Sequence, residues 1–140
     1  MSLHTVYLSL GSNLGHRRRN IRRAIERIGE LIGTVVRQSA LFETEPWGFR
    51  SDHRFVNAAV CCTTHLTPRQ LLEATQQIER ELGRTQKSAG GVYHDRLIDI
   101  DILLYDDITV SEPDLHIPHP LMHERPFVMV PLQEILPPSE

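Results

Sequence analysis

Two aspartates one residue apart lie in the run Arg96-Leu97-Ile98-Asp99-Ile100-Asp101-Ile102-Leu103-Leu104-Tyr105. They are the clearest candidates for chemistry in this chain. The run is rich in β-branched and aliphatic residues, which predicts a strand. Side chains alternate along a strand, so Ile98, Ile100, Ile102 and Leu104 are expected on the core face and Asp99 and Asp101 on the other. Two strand rises separate the aspartate Cα atoms by roughly 7 Å, so both carboxylates can reach one metal centre. Carboxylates this close repel each other unless a cation neutralises them, and hard oxygen donors favour Mg²⁺ or Mn²⁺ over Zn²⁺. Taken alone, Asp-x-Asp is more often a solvated strand face than a metal site. Here Arg84, Lys87 and Arg96 lead into the pair, with Gly90 and Gly91 among them. A cationic loop facing two carboxylates is the charge pattern of a metal-bound polyphosphate, with the cations neutralising charge that develops during transfer. The glycines would let that loop close over its ligand.

Other residues that could do chemistry are less persuasive. His116, His119 and His123 invite a zinc reading, but Pro118 and Pro120 break any helix that would align them, the spacing matches no common structural pattern, and no cysteine is near. A His-Pro segment against a nucleotide, or an ordinary surface loop, suits them better. Ser12 has no His and acid pair placed by sequence to activate it. Arg17, Arg18, Arg19, Arg22, Arg23 and Arg27 could form a nucleic-acid patch. They lack interleaved aromatics and sit in an acidic chain, so a solvated helix face is the better reading.

The elements that must position the pair can be read from pattern. Thr5–Leu10 predicts a first strand and Gly11–Gly15 a turn in which Asn13 and the glycines tolerate unusual backbone angles. A helix follows over about 18–31, with Ile21, Ile25, Ile28 and Ile32 as its apolar stripe and Gly33 as its stop. Residues 34–44 and 55–64 predict two further strands. Between them lies a long segment carrying Trp47 and Phe49; long loops in compact domains are often functional, and spacing alone equally allows Trp47 to fold back as a lid on the core. Thr67-Pro68-Arg69-Gln70 predicts a helix start with a capping box and proline at its first position. Leu71, Thr75, Ile78 and Leu82 form its stripe, and Gly83 fits its end. After the aspartate strand come a turn at Asp106-Asp107, a short strand at 108–110, a short helical piece near 121–125 and a final segment at 127–132. The order β-α-β-β-α-β with an added hairpin predicts an α+β fold, a ferredoxin-like antiparallel sheet with helices packed on one face and a flexible catalytic loop. Such a fold by itself does not assign a function.

At 140 residues the chain is expected to form a single domain over 1–140. Its net charge of −3 provides no global basic field for nucleic acid. Cys61 and Cys62 are adjacent on a predicted strand, so they point to opposite faces and read as core residues of a reducing compartment. No apolar run approaches the ~18 residues of a membrane span, and the N-terminus lacks a signal peptide's pattern. The cytoplasm is the expected location, with no membrane partner.

Several of these stretches, in order, resemble the 6-hydroxymethyl-7,8-dihydropterin pyrophosphokinase family. They are Gly11-Ser12-Asn13-Leu14-Gly15, Phe55-Val56-Asn57-Ala58-Ala59-Val60, Gln76-Gln77-Ile78-Glu79 with Gly83-Arg84, Arg96 through Leu103, and Ile117-Pro118-His119-Pro120 through Arg125-Pro126-Phe127. The resemblance implies transfer of pyrophosphate from ATP to the pterin's hydroxymethyl oxygen, with release of AMP. It implies two Mg²⁺ ions held by Asp99 and Asp101, with Arg84 and Arg96 as catalytic arginines. It places Gln76, Glu79, Arg84, Lys87, Arg96, Ile102, His116, His119 and Arg125 at ATP, and Thr44, Glu45, Trp47, Phe55, Asn57 and Phe127 at the pterin. It also implies a monomer.

The chain departs from the better-known bacterial pattern in the segment Gly90-Gly91-Val92-Tyr93-His94-Asp95, where a Trp-Gly-Pro run is frequent and Tyr93 is the substitute aromatic. Asp114 stands where some members carry an arginine that contacts the nucleotide, and Glu45 where a proline is common. Two other classes compete. A ferredoxin-like RNA-binding module would need aromatics where Asp99 and Asp101 stand. A nuclease or another Mg²⁺-dependent nucleotidyl-type transferase could use the same carboxylates.

Overall fold

The computed structural model describes residues 2–44, 54–83 and 97–137. Four main strands form an antiparallel sheet: β1 (His4–Ser12), β2 (Gly33–Gln38), β4 (Phe55–Thr64) and β5 (Asp99–Tyr105), in the order β2-β4-β1-β5, with β3 (Phe42–Thr44) also paired to β4. Helices α1 (Arg17–Leu31) and α2 (Pro68–Glu81) connect them. With β3 set aside, the two β-α-β halves place β1 and β4 at the centre, the arrangement expected of a ferredoxin-like sheet. β6 (Val110–Glu112) and β7 (Leu115–Ile117) form a separate hairpin. A 3₁₀ turn (Met122–Glu124) and α3 (Pro126–Ile135) complete the described elements.

The helices form where local chemistry supports them. Thr67 Oγ1 accepts from the Gln70 N–H at 3.2 Å, while Gln70 Oε1 accepts from the Thr67 N–H at 2.9 Å. Pro68 fills the position that has no intrahelical N–H to donate. Gly83 ends α2 with φ +102, backbone space that residues with a Cβ rarely enter. α1 buries Ile21, Ala24 and Ile28, with Ile32 just beyond its end. Gly33 then lets β2 run hard against β4, because a Cβ there would overlap the Thr63 carbonyl oxygen.

Two apolar layers hold the sheet. The first sets Val6, Leu8, Leu10, Val56, Val60, Cys62, Ile100 and Ile102 against α1 and α2. The second packs Tyr7, Ala59, Cys61 and Leu103 against Met122, Val128, Leu132 and Ile135. α3 therefore covers part of the opposite face, and the expectation of helices on one face is corrected. Cys61 and Cys62 are both free thiols, one in each layer.

Three further expectations change. Leu104 does not continue the stripe of Ile98, Ile100 and Ile102, because a register shift between Tyr7 and Leu8 inserts an extra residue opposite β1. After that bulge Leu103 and Leu104 pack on the second layer, and Tyr105 takes the next place in the first. The single strand expected over 34–44 is two strands. At the break, Ser39 Oγ accepts from the Ala59 N–H at 2.9 Å, and Glu134 takes the Ala40 N–H at 2.7 Å, so side chains replace ladder bonds. The short strand expected at 108–110 begins at Val110, because Asp106 turns the chain with φ 49, its carboxylate held by the Thr5 N–H at 2.7 Å and by His4 Nδ1 at 2.7 Å.

Candidate active site

Among the described residues β5 pairs in the sheet with β1 alone, and its other edge faces α2 and the segment after β7. Along β5 the aspartates are half-buried while Ile100 and Ile102 are buried. Asp99 lies opposite Gly11 and Asp101 opposite Ser9, so both carboxylates share the face that also carries Asn57 and Ala59. Alternation along the strand thus separates a core stripe from an acidic pair, as the sequence pattern requires.

The register links that pair to a second group of residues. One row crosses the sheet from Phe42 on β3 through Asn57 on β4 and Gly11 on β1 to Asp99 on β5. Gly11 has no side chain, so the row has a gap between Asn57 and Asp99. Two strand spacings put the backbones of Asn57 and Asp99 about 10 Å apart, with no side chain between them from β1. The gap is bordered closely: a Cβ on Gly11 would meet Asn57 Oδ1 at 3.1 Å and the Phe55 ring at 3.4 Å. Asn57 is buried, and its Nδ2 donates to Thr44 Oγ1 at 2.6 Å. Thr44, Phe55 and Asn57 are therefore brought together.

At the other edge of β5 lies a cleft of about 230 Å³, lined by Leu72, Ile100, Asp101, Ile102, Asp114, Leu115, His116, His119 and Pro120. Its walls are apolar near α2 and the β6–β7 hairpin, and Asp101 reaches it from the acidic face. Glu79 is buried on α2, and its Oε2 accepts from the Ile100 N–H at 2.8 Å, so it fixes the strand that carries the aspartates. The His119 N–H donates to the Leu103 carbonyl at 3.1 Å, which ties the next segment to the same edge. Burial pushes the His119 imidazole down to about 4, helped by Arg125 and opposed by Asp99. It is therefore a neutral ring at physiological pH. The guanidinium of Arg125, itself buried, lies 5.8 Å from the centroid of the Phe127 ring at the start of α3.

The cleft thus gathers Asp101, Ile102, His116 and His119, while Gln76 is half-buried on α2 and absent from its lining. Glu45, Trp47, Arg84, Lys87 and Arg96 lie outside the described residues. Leu72 and Leu115 escaped the sequence reading. Leu72 sits one place off the α2 stripe, and Leu115 belongs to a hairpin whose docking on β5 is a tertiary event. Asp114 lines the cleft and accepts from Arg69 Nη1 at 2.8 Å, with Glu112 on the same guanidinium. Gly11, expected in the turn, belongs to β1, and the strand register makes it the floor of the slot.

The carboxylate pair suits a hard divalent cation. Among the described residues no group of three or more His, Cys, Asp or Glu gathers into a metal cage. Two carboxylates with the remaining positions left to water and phosphate oxygens is the set Mg²⁺ prefers.

The model of the 7,8-dihydro-6-hydroxymethylpterin-pyrophosphokinase family matches residues 7–137. A 2-amino-4-hydroxy-6-hydroxymethyldihydropteridine pyrophosphokinase of Porphyromonas gingivalis is 53% identical over 133 residues, covering 94% of this chain and 90% of that protein. The Bacillus subtilis protein of that name is 43% identical over 130 residues, covering 92% of this chain and 76% of its own. Among solved structures, a wild-type Plasmodium falciparum HPPK-DHPS shares the fold at a TM-score of 0.77 and 15% identity, with 99% of this chain matched to 42% of that one. With the carboxylate pair, the cleft and the glycine slot in one molecule, these matches place the chain in the 7,8-dihydro-6-hydroxymethylpterin-pyrophosphokinase family.

Proposed function

We infer that this chain transfers a pyrophosphoryl group from ATP to the hydroxymethyl oxygen of 6-hydroxymethyl-7,8-dihydropterin, a step of folate biosynthesis that releases AMP. The observation that carries this reading is the family match across residues 7–137. The geometry supports it, because the slot at Gly11 and a cleft for a nucleotide meet at the two aspartates.

The reaction attacks the β-phosphorus of ATP, so charge moves onto the α–β bridging oxygen as AMP leaves. Asp99 and Asp101 would hold the Mg²⁺, two ions in this reading, and the metal would supply charge neutralisation at the polyphosphate. The chain's own residues do the positioning. Leu72, Ile102 and Leu115 offer an apolar wall to the base, with His116 and His119 beside it. Phe55 and Phe127 stack on the pterin, while Asn57 and Thr44 serve its donor-rich edge. Glu79 is assigned to ATP, and it also holds β5 through the Ile100 N–H. Arg84 and Arg96 are assigned to the developing charge, Lys87, Gln76 and Arg125 to ATP, and Glu45 and Trp47 to the pterin. The hydroxymethyl proton leaves to water. Catalysis is positioning and electrostatics, with no covalent intermediate.

The protein is read as a single-domain monomer acting in the cytoplasm without nucleic acid or membrane. A net charge of −3 supports the first of those exclusions. Among the described residues no helix is long and apolar enough to cross a membrane.

The test is incubation of purified protein with ATP, Mg²⁺ and the hydroxymethyl pterin, with AMP and pterin diphosphate followed by chromatography. AMP that requires both Mg²⁺ and the pterin is expected. AMP formed equally without pterin, or none from folded protein, overturns the reading.

A further inference from the structure

Glu43 and Arg54 stand on either side of residues 45–53 in sequence, and one side chain from another element meets both. Arg17, the first residue of α1, donates from Nη1 to Glu43 Oε1 at 3.1 Å and to the Arg54 carbonyl oxygen at 2.8 Å. The last rung of the β3–β4 ladder is Thr44 opposite Phe55; Glu43 lies one rung inside it, opposite Val56, and Arg54 lies one residue beyond it. Arg17 therefore brackets the last rung, and it does so from the α1 face of the sheet, behind the wall formed by Thr44, Phe55 and Asn57.

The place of Arg17 is fixed by the turn before it. Asn20 Nδ2 donates to Ser12 Oγ at 3.2 Å and to the Leu14 carbonyl at 3.0 Å, and the Arg17 N–H donates to the Gly15 carbonyl at 3.0 Å. Gly15 takes φ +66, as this turn requires. The Gly11–Gly15 run thus does two things. It leaves no side chain at Gly11 in the slot, and it sets a guanidinium behind the strand end that carries the slot's far wall.

We propose that Arg17 is a positioning residue for the pterin, a role that rests on the reading of Thr44, Phe55 and Asn57 as the pterin wall. β3 has only three residues, and so short a strand has few ladder bonds to keep its end closed. A partly exposed ion pair adds little to global stability. Its effect falls on the geometry of the wall, and small displacements of a binding wall are costly to rate and affinity. In the same reading ATP lies in the cleft at the other edge of β5, and no residue of α1 is among those that line it.

The experiment measures KM for the pterin and for ATP separately, with kcat and Tm, for the wild type and for Arg17→Ala, Arg17→Lys and Glu43→Gln. Arg22→Ala, an exposed arginine of the same helix, is the control. Arg17→Ala is expected to raise the pterin KM roughly tenfold, with the ATP KM within about twofold and Tm nearly unchanged. Arg17→Lys should recover part of that loss, Glu43→Gln should show a smaller rise in the same direction, and Arg22→Ala none. An unchanged pterin KM in an active Arg17→Ala enzyme overturns the role, as does an equal rise for both substrates. Should Arg17→Ala fail to fold, an unchanged pterin KM in Glu43→Gln overturns it. An inactive wild type overturns the pyrophosphokinase reading itself, and the proposal with it.

Discussion

Asp101 shows how much one position on a strand can determine. Its neighbours Ile100 and Ile102 are buried in the first layer, while its own side chain is half-buried on the opposite face and borders the cleft. Removing its charge should therefore spare the fold and damage the chemistry. Asp101→Asn, nearly isosteric, is expected to lower kcat by about two orders of magnitude or more, with a wild-type circular dichroism spectrum and Tm. Turnover close to wild type in a well-folded Asp101→Asn enzyme would sink the two-carboxylate mechanism. The pair was legible in the sequence because alternation needs only neighbouring residues. The slot at Gly11 was not, since it exists only where β3, β4, β1 and β5 come into register.

At the scale of elements, α2 was the most legible, because its start signal is local and complete. Thr67→Ala removes the side-chain acceptor of the capping box and is expected to cost about 1 kcal/mol, seen as a drop of a few degrees in Tm with kcat retained. The two helices are also clasped to each other. Arg27 Nε and Nη2 donate to the Glu81 carboxylate at 2.7 and 2.9 Å. Hydrogen bonds from Arg27 and Gln77 hold Glu81 down to about 2, against an ordinary value of 4.5. Its folded-state value is depressed, so its contribution is present above pH 4.5 and is lost as pH falls toward 2. Glu81→Gln should flatten the pH dependence of stability in that window, as followed by denaturant titrations at several pH values. An unchanged slope would mean that the pair contributes nothing. The break at Ser39 was beyond sequence reading, because the Ala59 N–H that its hydroxyl serves lies across the sheet. The bulge near Leu103 was hidden for another reason. Ile102, Leu103, Leu104 and Tyr105 are all apolar, and an unbroken apolar run carries no phase to reveal a slip.

For the whole molecule, the second apolar layer is the part least visible in the sequence, because it forms only when α3 packs on β4 and β1. α3 covers only part of the acidic pair's face, so one side of the sheet carries both a core and a site. Leu132, fully buried in that layer, holds α3 to β4 and β1. Leu132→Ala is expected to destabilise by roughly 2–5 kcal/mol, measured by urea unfolding, and a loss under 1 kcal/mol would show that α3 is only loosely attached. The β1–α1 turn meets another part of the molecule as well. A Cβ on Gly15 would come within 3.3 Å of Leu97 Cδ2 and one on Gly83 within 2.8 Å of Leu97 Cδ1, so Leu97 fills the notch between two glycines. Gly83 and Leu97 stand immediately before and after residues 84–96, which carry Arg84, Lys87 and Arg96. That segment therefore leaves and re-enters the fold at a single point. For a chain tied this way, doubling its length adds only about 0.6 kcal/mol of closure entropy. A change in the length of this segment is therefore expected to cost the sheet little, because both ends stay pinned at Leu97.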